Sequence, residues 1–254
     1  MELNRIVGIE LLDNPLIFMC MVGGTVVKLL SVLFSTYLIL WIQTFVEGTH
    51  GNPKLLANKE QGKTIYLNMM VVSVLISAFI LPFVGTMVDR VSPKISIPFA
   101  FFFRAIVTAF FTMVNDPSSP EAFIVCIMLI VGSIIEVVSV DSIFNKNLPK
   151  ETRGILSGAY SFCGQVGILL FSISAGWLFD NMGTKSPFYL TGLLDVTYAL
   201  LIIIAIPCGL FTKYDEKEER SKLKRGEYEK MMKKNMNASG NRYNSQVFSQ
   251  TDQR

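Results

Sequence analysis

Five ionisable side chains lie inside otherwise apolar stretches of this chain: Lys28, Arg104, Glu136, Asp141 and Asp195. A charge near the centre of a bilayer costs about 2.5–3.5 kcal/mol on the mildest scale, so each needs a partner, a water-filled surrounding or a task. Depth arithmetic couples two of them. Lys28 lies ~18 Å along a helix from the start of its stretch near Leu16, and Glu136 lies ~15 Å from the end of its own near Lys146. If those two ends share one side of a membrane, the side chains sit at one level. The expected chemistry is a Lys28–Glu136 pair that anchors a substrate or couples a proton; the plain alternative is a structural ion pair. Asp141 lies within reach of Lys146, Lys150 and Arg153 and reads as a gate or loop anchor. Arg104 is expected to snorkel to the surface or to meet Asp89, and Asp195 to play a supporting part.

Other chemistries have little to build with. A single histidine, His50, leaves no His-pair zinc site and one place at most for a conventional Ser-His-Asp triad. Cys20, Cys126, Cys163 and Cys208 are far apart inside apolar runs, which suits packing rather than metal binding or a disulfide framework. No glycine-rich phosphate loop is present. Enzymatic activity, a metal and a cofactor are not expected, and the net charge of +3 gives nucleic-acid binding no support.

The elements that position these charges follow from composition. Residues of the AVILMFWYC class make up 51% of the chain and charged residues 17%, against about 25% charged in a soluble domain. The charges also crowd into residues 213–254, leaving a body too poor in charge to cover a water-facing surface. Mean hydropathy is +0.45. A bilayer core of about 30 Å needs roughly 20 apolar residues per helix. Six stretches qualify: Leu16–Phe45, Tyr66–Val88, Ile95–Val114, Glu121–Phe144, Ile155–Phe179 and Phe188–Phe211. Lys and Arg of the short loops set orientation. Arg5, Arg90, Lys94, Lys146, Lys150, Arg153 and the tail share one side, so both termini are expected on the cytoplasmic or matrix side.

Two segments repeat. Gly85-Thr86-Met87-Val88-Asp89-Arg90-Val91-Ser92-Pro93-Lys94 and Gly176-Trp177-Leu178-Phe179-Asp180-Asn181-Met182-Gly183-Thr184-Lys185 both read Gly-x-x-x-Asp-x-x-small-x-Lys as a span leaves the membrane, on opposite sides. If each closes the second helix of a trio, the six spans form two inverted three-helix repeats, at about 16–114 and 121–212. The motif Gly85, Asp89, Arg90 and Lys94 resembles the cytoplasmic loop motif of the major facilitator superfamily. Asn14-Pro15-Leu16 with Ser35-Thr36-Tyr37-Leu38 looks like that family's seventh helix, and Pro149–Gly154 with the fifth span looks like its eleventh. The resemblance covers about residues 10–212 and fits the C-terminal six-helix half best. Ser92-Pro93 departs from the family's Gly-Arg.

The resemblance implies an all-α integral membrane fold, half of a major facilitator fold, whose first and fourth spans line a central cavity. It places Lys28, Glu136, Asp141 and Tyr37 there as substrate or coupling candidates, and has Asp89 cap a helix of a second half; the plain reading of Asp89 and Arg90 is a charged turn. Gly154, Gly158, Gly164 and Gly167 on the fifth span read as a close helix interface, and Pro82 and Pro98 as kinks. The expected partners are the lipid bilayer, a small solute with or without a coupling proton, and a second six-helix half from a homodimer or a separate chain. Residues 1–15 form a cytoplasmic segment, 16–212 the membrane domain, 213–236 a charged helix continuing from the sixth span, and 237–254 a disordered tail. Glu47–Lys63 reads as a surface loop. The leading function is secondary transport by alternating access. Its rivals are a non-transporting structural subunit and a fragment of a twelve-span transporter.

Overall fold

The computed structural model describes residues 14–49, 55–212, 214–216, 219, 220 and 223. The chain divides into two units, Met1–Leu210 and Phe211–Arg254. In the first, α1 (Pro15–Val32), a π-helical turn (Leu33–Tyr37) and α2 (Leu38–Thr49) run together as the first span. The remaining helices are α3 (Leu55–Arg90), α4 (Pro93–Met113), α5 (Pro120–Asn147), α6 (Arg153–Met182) and α7 (Ser186–Ala205). Six helical stretches are long and apolar enough to cross a membrane, and no strand occurs among the described residues.

Proline sets the starts. Pro15, Pro93, Pro120 and Pro187 stand in the first turns of α1, α4, α5 and α7, where a missing N–H breaks no helical bond and the fixed φ suits the helix. α5 adds a cap: the Ser119 hydroxyl accepts from the Ala122 N–H at 3.2 Å, with Glu121 in the first turn. Gly183 ends α6 at φ +103°, a conformation that glycine adopts without steric penalty. Both internal prolines, Pro82 and Pro98, lie within continuous helices.

Two boundaries differ from the sequence reading. α3 begins at Leu55, so Glu47–Lys63 is not one long loop; residues 55–63 are mostly good helix formers, and the strong breakers end at Pro53. α7 stops at Ala205 because Pro207 and Gly209, at φ +85°, follow it, so the expected unbroken helix from the sixth span into the tail does not form. His50, residues 1–13 and residues 237–254 lie outside the described residues. In the second unit the described residues from Thr212 on are helical, and the Asp215 N–H donates to the Phe211 carbonyl at 2.9 Å.

The packing has two-fold character. Between the two trios, α1 packs on α6 as α5 packs on α3, α4 packs extensively on α5 and α1 more lightly on α7, and α4 with α7 and α1 with α5 pair across the centre. Exchanging the first trio of spans for the second maps these pairs onto themselves, as inverted repeats require. The core runs through Trp41, Phe111 and Phe188, whose rings stack in sequence at 5.0 and 4.4 Å. α3 and α6 are the least enclosed spans, each with 17% of its apolar window buried against 61% for the first span. Phe79, Phe83, Phe162 and Trp177 stand out from them, an arrangement that suits lipid or another protein and not water.

Candidate functional site

The first span carries a polar edge through mid-membrane. Thr25, Lys28 and Ser31 follow at three-residue steps on one side of α1, and Ser35 and Thr36 continue it in the π turn. Ser31, Ser35 and Thr36 are exposed and Thr25 and Lys28 half-buried, while the other side of α1 is buried from Leu16 to Leu30. The Thr25 and Ser31 hydroxyls donate to the Met21 and Lys28 carbonyls at 3.0 and 2.7 Å. Their oxygens remain able to accept.

The π turn is held from two sides. Its widened register loosens the backbone pairing, and the Tyr66 hydroxyl of α3 donates to the Phe34 carbonyl at 3.3 Å. Tyr37 is 5% exposed, packs on Phe171 and Phe179, and donates its hydroxyl to the Ser172 carbonyl of α6 at 3.0 Å. The residue expected to meet substrate thus ties the turn to α6 instead.

Lys28 lies over the Tyr160 ring, its ammonium 5.0 Å from the centroid. The Tyr160 hydroxyl donates to Asp141 at 2.6 Å. Residues from α1, α5 and α6 therefore meet at one place, with Ser161 and Gln165 exposed beside it on α6. The glycines make this approach possible. A Cβ at Gly164 would fall 2.3 Å from Lys28 Cδ, one at Gly24 2.2 Å from the Tyr160 ring, and one at Gly167 2.1 Å from the Thr25 methyl. Gly164 and Gly167 lie against α1, whereas Gly154 and Gly158 have open space beside them among the described residues.

The expected Lys28–Glu136 pair does not form. Glu136 is fully buried and pairs with the guanidinium of Arg104, which also forks onto Asp195: Arg104 Nε donates to Asp195 Oδ2 at 2.8 Å, and Nη2 meets Oδ1. All three side chains are 0% exposed. Arg104 neither snorkels nor reaches toward Asp89; it is the largest fully buried side chain, with the Phe101 ring 5.9 Å away. The triad joins α4, α5 and α7. Glu136 and Asp141 are five residues apart, about 140° around α5, so the two acids point to different sides. Asp141 takes the open side and Glu136 the closed one.

The two copies of the repeated motif end differently. In the first, Gly85 has open space around it, Arg90 is exposed and Lys94 half-buried; the Asp89 side chain lies outside the described residues. In the second, the Lys185 ammonium donates to the Thr112 and Val114 carbonyls at 2.9 and 2.5 Å and to Asn115 Oδ1 at 3.0 Å, closing the C-terminal end of α4. Desolvation lowers the Lys185 ammonium from the ordinary lysine value, with Tyr189 opposing.

Four residues escaped the sequence reading: Gly23, Gly24, Tyr160 and Tyr198. A Cβ at Gly23 would sit 2.3 Å from the Tyr198 hydroxyl, which donates to the Met19 carbonyl at 2.8 Å. The signal was present as a Gly-Gly pair in an apolar span, which admits two large rings.

No curated protein and no solved structure matches the chain. The pattern of the Major Facilitator Superfamily matches residues 7–172 and, in a second overlapping match, residues 68–236. Together these cover all six spans. The membrane-length helices, their inverted pairing and the family match agree on an integral multi-pass membrane protein, a secondary transporter by type: the chain belongs to the Major Facilitator Superfamily.

Proposed function

We propose that this bundle is one half of an alternating-access carrier for a small solute, and that a second six-helix half covers the face formed by α1, α5 and α6. The observation carrying the reading is the polar edge of the first span, Thr25, Lys28, Ser31 and Ser35, exposed or half-exposed at membrane depth. Hydrocarbon offers such groups no partners, and polar residues inside a membrane face a bundle interior or a water-filled space. The poorly enclosed spans α3 and α6 are where a second half would seat. The basic loop residues Arg90, Lys94, Lys146, Lys150 and Arg153 support termini on the cytoplasmic or matrix side.

Cysteine labelling tests this. In a background with Cys163 and Cys208 replaced by Ser, Ser31→Cys and Ser35→Cys should react in native membranes with a small water-soluble thiol reagent. Phe110→Cys, on the outer apolar side of α4, should not. Reaction at Phe110→Cys with protection at both serine positions would reverse the assignment of faces and end the proposal.

A further inference from the structure

We infer that the solute is a small organic anion whose negative group docks on the Lys28 ammonium. This names the substrate class of the face just described and rests on that reading.

The charges inside the spans divide unevenly. Arg104 is matched by Asp195 and Glu136 in a sealed cluster behind the face. Asp141 accepts the Tyr160 hydroxyl. Lys28 has a ring beneath it and, among the described residues, neither an ion pair nor a hydrogen-bond acceptor. Three N–H donors are thus presented at mid-membrane with no oxygen to receive them. An ammonium left so is unfavourable unless water or an anion completes it. A carboxylate or phosphate matches the charge and donors of this ammonium, and a cation or a neutral alkyl group does not.

The seat is shaped for this. Gly164 lets the lysine stem lie against the α6 backbone, and Gly24 lets the Tyr160 ring slide beneath the ammonium. A cation on a ring face leaves its far side open to an acceptor.

The test uses the full chain purified in non-ionic detergent, with unfolding followed as buried Cys20 and Cys126 become reactive to a thiol dye. The probes, at matched ionic strength, are inorganic phosphate, acetate, succinate and glucose 6-phosphate, against choline and glucose. At least one anion should raise the midpoint by several degrees, and choline and glucose should not. Lys28→Gln should abolish the rise. Gly164→Ala displaces the Lys28 stem from its seat, so it should weaken the anion at least tenfold, measured as the anion-induced rise relative to the variant's own unliganded midpoint. A rise that survives Lys28→Gln overturns the proposal, as does one produced by choline or glucose alone, or none in the wild type with any anion. A Lys28-dependent rise given only by added phosphatidylglycerol also overturns it, assigning the site to lipid. Labelling at Ser31→Cys with no anion effect would sink the anion site and leave the carrier reading standing. Protection of both Ser31→Cys and Ser35→Cys with reaction at Phe110→Cys would sink the carrier reading itself.

Discussion

Removing Arg104 should damage this protein more than removing either acid that it holds. The triad has one guanidinium between two carboxylates, all fully buried. Ionised throughout, it carries a net charge of −1. Arg104→Gln would leave two buried carboxylates and no cation, a net charge of −2. Breaking a buried pair from one side costs about 3–5 kcal/mol, which at about 1.4 kcal/mol per decade is a 10²- to 10³-fold loss in the folding equilibrium. Asp195→Asn removes the forked partner but leaves Arg104 with Glu136, a neutral pair, so about 1–3 kcal/mol is expected. Glu136→Gln keeps the fork on Asp195 and brings the net charge to zero, so it should be the mildest. Combining Arg104→Met, Glu136→Leu and Asp195→Leu removes every charge and should recover much of the loss, as apolar replacement of buried ion pairs often does. The assay is the midpoint of thermal unfolding read at Cys20 and Cys126, with the monodisperse fraction after detergent extraction as a second measure. If Arg104→Gln melts within 2 °C of wild type, or below it no further than Glu136→Gln does, the charge-count argument is wrong.

Three further outcomes follow from other contacts. Gly24→Ala would put a methyl 2.2 Å from a rigid ring, and should destabilise by about 1–3 kcal/mol; Gly24→Ala with Tyr160→Leu should regain part of that midpoint. Lys185→Met removes three donated hydrogen bonds at the end of α4 from a half-buried ammonium and should cost about 1–2 kcal/mol; its effect should appear as faster amide exchange in residues 110–115. Asn237-Ala238-Ser239 matches a glycosylation acceptor. A C-terminus on the cytoplasmic side predicts that Asn237 stays bare in a eukaryotic host, and a glycan-dependent shift on a gel would invert the proposed orientation.

Much of the fold was legible because hydrocarbon imposes coarse rules. Proline and Ser119 mark the starts of four helices, and runs of about twenty apolar residues cannot be hidden in a chain with so little charge. What depth could not supply was azimuth. Lys28 and Glu136 face different ways, and only the packing of α4 against α5, with Arg104 reaching Glu136, tells which side of that helix is sealed. Gly154 and Gly158 show a similar limit: small-residue spacing predicts a close interface without saying which neighbour fills it, and within this bundle none does among the described residues. Lys28 and Asp141 were recognised as charges needing an explanation. Tyr160, the ring that joins them, was invisible because an aromatic residue in an apolar run carries no spacing signal.

The π turn divides the first span into two rotational settings. One residue more per turn advances everything beyond it by about 100° relative to an uninterrupted helix. The inner segment can therefore keep its hydroxyls and lysine toward the open face, while the outer segment independently turns Trp41 onto Phe111. Deleting a single residue between Leu33 and Tyr37 would force both segments to share one phase. Either the indole would swing out of its aromatic stack or the wet edge would be driven into the bundle, so this short stretch tolerates replacement of side chains far better than any change in its length.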